Sequence, residues 1–292
     1  MVCYREGAKA HRHGPALVAQ VRVSIPFGER GVRGASRDPA PGIALVAIHG
    51  ILSLMSLTPP TAHDAARQAY RGAAGQAYHR EKRAVPQVAI PWLIRVRAAV
   101  FQSEIGPEDS VIELGCGAGW NLAGLKCGRR VGMDVAVSLR AEVEAAGIEF
   151  CESTANLAPA QFDRVVCHHA LEHVPDPLEC LAEARRLLKP GGRLLLAVPW
   201  EREARYRRFD PAEPNHHLFS WNVQTLGNLV TVAGLSIDSI GLRTYGYDRR
   251  AAIWAVRFGL GEAGFRGIRQ MLQTLRPLKE VVVVARRGDT VG

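Results

Sequence analysis

Val111-Ile112-Glu113-Leu114-Gly115-Cys116-Gly117-Ala118-Gly119-Trp120-Asn121 is the stretch that decides the fold. Its first four positions, apolar but for Glu113, predict a short buried strand, and the three alternate glycines predict a turn directly after it. Glycines in that place let the backbone pass close to a ligand. A pyrophosphate-binding turn needs a glycine at its sixth place, where helix and strand must approach closely. Trp120 stands there and Gly119 comes one residue early, so a dinucleotide is disfavoured. Glu113 adds to this, because a carboxylate at the mouth of the strand repels phosphate and suits a cationic ligand. Nineteen residues beyond Gly115, Asp134 ends a second strand, Arg130-Val-Gly-Met-Asp134. Alone, such an acid reads as a turn or cap residue; with the glycine turn, it reads as an acceptor for ribose hydroxyls.

Outward from this stretch the chain alternates. Upstream, helices are expected over 65–83 and 90–101, the second with Trp92, Leu93, Val96, Ala99 and Val100 at helical spacing. Downstream come a helix over 122–126, the 130–134 strand, a helix over 138–146, strands over 148–151 and 163–167, a helix over 177–188 and a strand over 193–198. Strands joined through helices give right-handed crossovers and a parallel sheet covered on both faces. Ser220 is the expected cap of a helix over 221–233, Leu235 to Leu242 reads as a strand, and 244–276 reads as an apolar helical insertion. Glu280-Val-Val-Val-Val-Ala-Arg286 is long and β-branched enough to sit inside the sheet.

Four pieces in this order resemble the class I S-adenosylmethionine-dependent methyltransferases, in particular the small-molecule branch that includes quinone-biosynthesis enzymes. They are Glu113-x-Gly115-x-Gly117-x-Gly119, Asp134 after Val-Gly-Met, the run from Phe162-Asp163 through Leu171-Glu172-His173-Val174-Pro175-Asp176-Pro177, and Leu187-Leu-Lys-Pro-Gly-Gly-Arg193. The resemblance covers about residues 111–235 together with the last strand. It implies an α/β fold with a doubly wound, seven-stranded, mostly parallel sheet whose final strand is antiparallel. It also implies S-adenosylmethionine as cofactor, a ligand carrying both a sulfonium and an ammonium. By position, Glu113, Gly115, Cys116, Gly117 and Gly119 would hold the methionine portion, and Asp134 with Val135 the ribose. The acid that often meets the adenine amine after the third strand is missing, since the run reads Glu152-Ser153-Thr154-Ala155-Asn156; Ser153 and Thr154 take that place. His168 falls where the cofactor pocket meets the acceptor.

Methyl transfer from a sulfonium needs a nucleophile held in line and free of its proton, and histidine is the side chain suited to take that proton. His168 and His169 after the fourth strand, and His216 and His217 after the fifth, are the base candidates, because strand ends of such sheets border the ligand crevice. Glu172 and His173 read as structural. His169 and His173 could join Glu172 or His216 around a metal, but Val174-Pro175 opposes a continuous helix and no metal is assigned. Trp120, Trp200 and Trp221 could line a pocket, although such residues are more often core. Arg202, Arg205, Arg207 and Arg208 around Tyr206 are the best contact for an anionic acceptor, with a solvated basic loop as the plain alternative.

The 292 residues carry 37 Lys+Arg against 28 Asp+Glu, a net charge of +9, with 47% hydrophobic and 22% charged residues, which excludes collagen-like, disulfide-scaffold and wholly disordered chains. Residues 1–54 hold seven basic and three acidic residues, so the rest is only mildly basic. That segment is Arg-rich, its apolar run over 42–57 is too short to span a bilayer, and Met55 offers an alternative start. Residues 1–54 are therefore expected to be an extension outside the functional domain, 55–105 a helical lid and 106–292 the catalytic domain. Six cysteines without a Cys-x-x-Cys pair point to a reducing, cytoplasmic setting. The expected activity is methylation, at oxygen, of a small-molecule or glycan- or lipid-linked acceptor. An RNA methyltransferase is disfavoured because His168-His169-Ala170 stands where an Asn/Asp-Pro-Pro-Tyr/Phe-like base pocket would be. A non-catalytic S-adenosylmethionine-binding protein is disfavoured by the intact acids and the histidine-lined strand ends.

Overall fold

A computed structural model describes Tyr70, Gly72, Gly75, Arg80 and residues 84–201, 208–210 and 215–288, all within the unit Pro59–Gly292. Gly72, Gly75 and Arg80 are helical, in keeping with the helix expected over 65–83; the rest of that helix, the 1–54 segment, and Arg202, Arg205, Tyr206 and Arg207 lie outside the described residues.

The ordered elements are α1 (Ile90–Phe101), β1 (Ser110–Leu114), β2 (Arg129–Met133), α2 (Arg140–Ala145), β3 (Glu149–Cys151), β4 (Phe162–His168), α3 (Pro177–Leu187), β5 (Leu188–Pro199), α4 (Val223–Val232), β6 (Leu235–Tyr245), α5 (Asp248–Arg257), α6 (Gly261–Leu275) and β7 (Leu278–Arg287). The strands form one sheet in the order β3-β2-β1-β4-β5-β7-β6. The five strands β1 to β5 run parallel, and β7 enters antiparallel between β5 and β6. The order reverses beside β1, so the crevice above the ends of β1 and β4 is the topological switch point where ligands of such sheets bind.

Both faces of the sheet are covered. Ile112, Phe162, Val165, Leu194 and Leu196 pack with Leu181 and Leu187 of α3 and Leu226 and Val230 of α4. Val111, Val166 and Leu195 pack on the other face with Ala98 and Phe101 of α1 and Val143 of α2. A third cluster lies over the glycine turn: Leu93 of α1 and Phe265 of α6 meet Ala118, Trp120 and three alanines of α5. Burying Phe265 fully contributes roughly 2–3 kcal/mol, so α5 and α6 are seated on the sheet domain mainly by this apolar contact. The ion pairs Arg95–Glu262 and Arg97–Asp248 across the same seam are partly exposed and add little.

Three expectations are corrected. Residues 122–126 form turns instead of a helix, held by amides of Leu122 and Ala123 donating to the Gly119 carbonyl. Five residues are too few to propagate a helix, and α1 presses so closely that a Cβ at Gly124 would lie 2.8 Å from Ala98 Cβ. The strand expected from Arg193 begins at Leu188, which pairs with Phe162 before the register shifts and resumes at Arg193. The cap of α4 is Asn222, in a reciprocal box with Thr225, and Ser220 instead donates to the Glu201 carboxylate at 3.0 Å.

Candidate functional site

Gly115, Gly117 and Gly119 take φ of +76°, +53° and +71°, a region that side chains other than glycine enter at a cost. A Cβ at Gly115 would also stand 2.6 Å from Ala170 Cβ, and one at Gly119 2.8 Å from Ile148 Cδ1. The amides of Gly115 and Cys116 donate to the Met133 carbonyl, and that of Gly117 donates to Asp134 Oδ2 at 2.7 Å. The other Asp134 oxygen accepts from the Ala136 amide at 2.8 Å. Asp134 thus braces the turn against the loop after β2, and each carboxylate oxygen retains a lone pair for a further donor.

Glu113 is fully buried. Burial pushes its carboxyl up to about 8 against the lowering effect of the Asn121 amide, which donates to Oε1. Its Oε2 has no partner among the described residues. A buried carboxylate oxygen without a donor costs free energy until one arrives, and an ammonium supplies both the donor and the opposite charge. The donor set at this turn therefore fits the methionine end of S-adenosylmethionine.

A cavity of about 770 Å³ opens beside the turn, bordered by Gly115, Gly117, Asp134 and Val135 at one side, by Ser153, Thr154, Glu183 and Arg186 at a second, and by Tyr70, His169 and His173 at a third. Seven of the expected site residues thus share it: Gly115, Gly117, Asp134, Val135, Ser153, Thr154 and His169. Others do not line it. Cys116 and Gly119 face inward, the first over Gly132 and the second against Ile148, so both serve the packing of the turn. Glu113, His168, His216 and His217 are not among the residues that line it. Trp120 and Trp221 are buried in the core and Trp200 packs against it.

The histidines separate into two groups. His168 and His169 gather on Glu280 of β7, with Nε2 of His169 at 2.9 Å and Nε2 of His168 at 3.5 Å from Oε2. His173 and His217 meet beside Glu172, their rings 4.9 Å apart. The backbone brings His217 there, since the carbonyl of Glu172 accepts from the amides of Leu218 and Phe219. His169 and His173 therefore do not share one set of ligand atoms, and His216 belongs to neither group. In the second group the ligand atoms of Glu172, His173 and His217 lie within 4.8 Å of one another. The Nδ1 of His173 is hydrogen-bonded by Tyr70 and the Nδ1 of His217 by Glu201, while neither Glu172 oxygen has a hydrogen-bond partner among the described residues and Oε1 lies 3.8 Å from His173 Nε2.

Glu280 is the site residue that sequence reasoning missed; it read only as the first residue of a strand. A charged residue at the head of an otherwise apolar strand was the one available signal.

Comparison with known proteins agrees with the fold and the turn. A family model described as Methyltransferase domain matches residues 81–240, just over half of the chain. Ubiquinone biosynthesis O-methyltransferase of Xanthomonas campestris pv. campestris is 35% identical over 129 residues, 39% of this chain and 53% of that protein. The enzyme of the same name from Pseudomonas aeruginosa is 32% identical over 103 residues, 30% and 43% of the two chains. A protein of transposon Tn4556 from Streptomyces fradiae is 34% identical over 113 residues, 32% of each. The chain thus spans a third to about half the length of the curated relatives it matches. Among solved structures, the complex of the Haloferax volcanii Trm112 methyltransferase activator with a methyltransferase contains a chain similar in fold, with a TM-score of 0.51, 18% identity, and coverage of 76% of this chain and 97% of that one. With the seven-stranded sheet, its antiparallel β7 and the glycine turn at the end of β1, this protein belongs to the class I S-adenosylmethionine-dependent methyltransferases.

Proposed function

We propose that this enzyme methylates an oxygen of a small-molecule acceptor, free or carried on a glycan or lipid. The observation that carries the reading is the single cavity joining the cofactor-binding turn and Asp134 to a wall of His169, His173 and Tyr70. When bound, the cofactor would supply the methyl group and leave as a thioether; the chain would supply position and a base. Glu113 and the glycine turn hold the methionine portion, Asp134 and Val135 the ribose, and Ser153 or Thr154 the adenine edge. The two ubiquinone O-methyltransferase relatives support oxygen as the methylated atom. Calorimetry with S-adenosylmethionine, followed by a metabolite-extract screen for S-adenosylhomocysteine release, tests this. Binding together with release is expected; binding without release from any extract would sink the enzymatic acceptor reading.

A second feature favours help from a divalent cation. Glu172, His173 and His217 offer a carboxylate and two imidazoles whose second nitrogens are already fixed by Tyr70 and Glu201, the outer-shell arrangement that metal-ligating histidines need. A cation there would polarise the acceptor oxygen and neutralise the buried Glu172, whose carboxyl burial pushes up from its ordinary value. Titration of the full chain with Zn²⁺ is expected to show one tight site, weakened at least tenfold by His217→Ala. Equal Zn²⁺ binding by the two proteins would remove this reading.

A further inference from the structure

The four candidate bases are not equivalent. His168 has both ring nitrogens engaged. Its Nδ1 lies 3.3 Å from the Asn121 amide nitrogen, which can only donate, so the ring proton sits on Nε2 and points to Glu280. Burial and the neighbouring His169 push His168 down to about 4, which keeps it neutral. His217 commits Nδ1 to Glu201, and His216 stands outside the cavity. His169 borders the cavity, bonds Glu280 through Nε2, and has no partner for Nδ1 among the described residues. Its backbone is pinned at φ +52° with its amide on the Ala197 carbonyl, and its ring meets Tyr245 edge-on at 4.7 Å. A non-glycine residue held in that region marks a position that the surrounding fold over-determines.

Glu280 is built to hold this ring. It is 1% exposed, its register on β7 sets it opposite Pro199 of β5 and Arg243 of β6, and its Oε1 accepts from Arg243 Nε at 2.8 Å. Burial alone would push its carboxyl up, but the hydrogen bonds from His168 and His169 oppose it and hold the group below its ordinary value. An ionised Oε2 only accepts, so it draws the His169 proton to Nε2 and leaves the Nδ1 lone pair for a substrate.

We propose that Glu280 is the positioning residue of a His169 general base. The proposal rests on the methyl-transfer reading above. The acceptor O–H bond breaks as its proton passes to His169 Nδ1. The oxygen bonds the methyl carbon, and the electron pair of the broken C–S bond stays on the departing thioether.

The test uses the full chain labelled with ¹⁵N-histidine, the His169 signals being assigned with His169→Gln. Long-range ¹H–¹⁵N spectra are expected to show His169 protonated at Nε2 alone, with a downfield hydrogen-bonded proton that Glu280→Gln abolishes. An unchanged His169 tautomer in Glu280→Gln overturns the proposal. With catechol as the probe acceptor, Glu280→Gln is expected to lower kcat about 100-fold. KM for catechol and cofactor affinity should stay within twofold, and Glu280→Asp should recover part of the rate. Equal kcat in wild type and Glu280→Gln also overturns it. If the wild type binds cofactor but leaves catechol unmethylated, the tautomer measurement decides the role of Glu280. Failure of the wild type to bind S-adenosylmethionine would instead remove the methyl-transfer reading, while the tautomer measurement still decides the role of Glu280.

Discussion

Glu113→Gln is expected to raise the stability of the unliganded protein while weakening its hold on S-adenosylmethionine. Burial raises the Glu113 carboxyl from 4.5 to about 8, so between these values the folded state binds a proton at this site that the unfolded chain has lost. Stability therefore falls as pH rises from 4.5 toward 8, by roughly 5 kcal/mol at about 1.4 kcal/mol per unit. Glutamine keeps the shape and the Asn121 contact but never titrates, which removes that slope. Urea unfolding of the two proteins between pH 5 and pH 8 checks this: the variant should gain on the wild type as pH rises, and parallel profiles would contradict it. The cofactor ammonium needs the carboxylate, so wild-type affinity should fall about tenfold per pH unit below 8, with a proton released on binding. In the variant that dependence should vanish and affinity above pH 8 should be about 10- to 100-fold weaker, the loss of one charge-assisted hydrogen bond.

Gly115→Ala is expected to abolish measurable cofactor binding and to destabilise the fold by about 2–5 kcal/mol. Two costs combine: a side chain at φ +76° costs roughly 1–2 kcal/mol, and a Cβ placed 2.6 Å from Ala170 Cβ forces a shift worth a further 1–3 kcal/mol. That shift moves Ala170, and with it the adjoining His169 at the cavity wall. Gly191→Ala is the control, because Gly191 has a similar φ of +71° and nothing within 4 Å of its Cβ. It should show the backbone cost alone, with calorimetric binding of S-adenosylmethionine unchanged. Loss of binding in both variants would mean that general destabilisation, and not the closed approach at Ala170, explains the effect.

The parts of this fold that sequence could show are those set by local chemistry. The glycine turn, the acid after β2, helix α1 to the residue, and the existence of the last strand follow from spacing, β-branching and punctuation within a dozen residues, whereas the antiparallel direction of β7 is legible only through the family resemblance. The misread parts depend on contacts from elsewhere. The 122–126 segment yields to the pressure of α1 on Gly124, and β5 starts early because Leu188 finds Phe162 across the sheet. Pairings were less legible still. His169 and Glu280 are 111 residues apart and His217 reaches Glu172 only through backbone bonds from Leu218 and Phe219, so adjacency in sequence grouped His168, His169 and His173 where the fold divides them. Seven of the expected site residues do border one cavity, because strand ends at a switch point converge whatever side chains they carry.

The late entry of β7 between β5 and β6 bears on how the protein matures. The glycine turn, Asp134, His168 and His169 have been synthesised long before residue 278, yet the Glu280 carboxylate that His169 meets comes with the final strand and is located by ladders on both of its sides. Until that strand docks, β5 and β6 have no partner between them and His169 lacks its contact with Glu280. A growing chain can thus form the glycine turn and its Asp134 brace before the His169–Glu280 contact, so that, on the role proposed for Glu280, completion of the sheet and of the site fall on the same closing event.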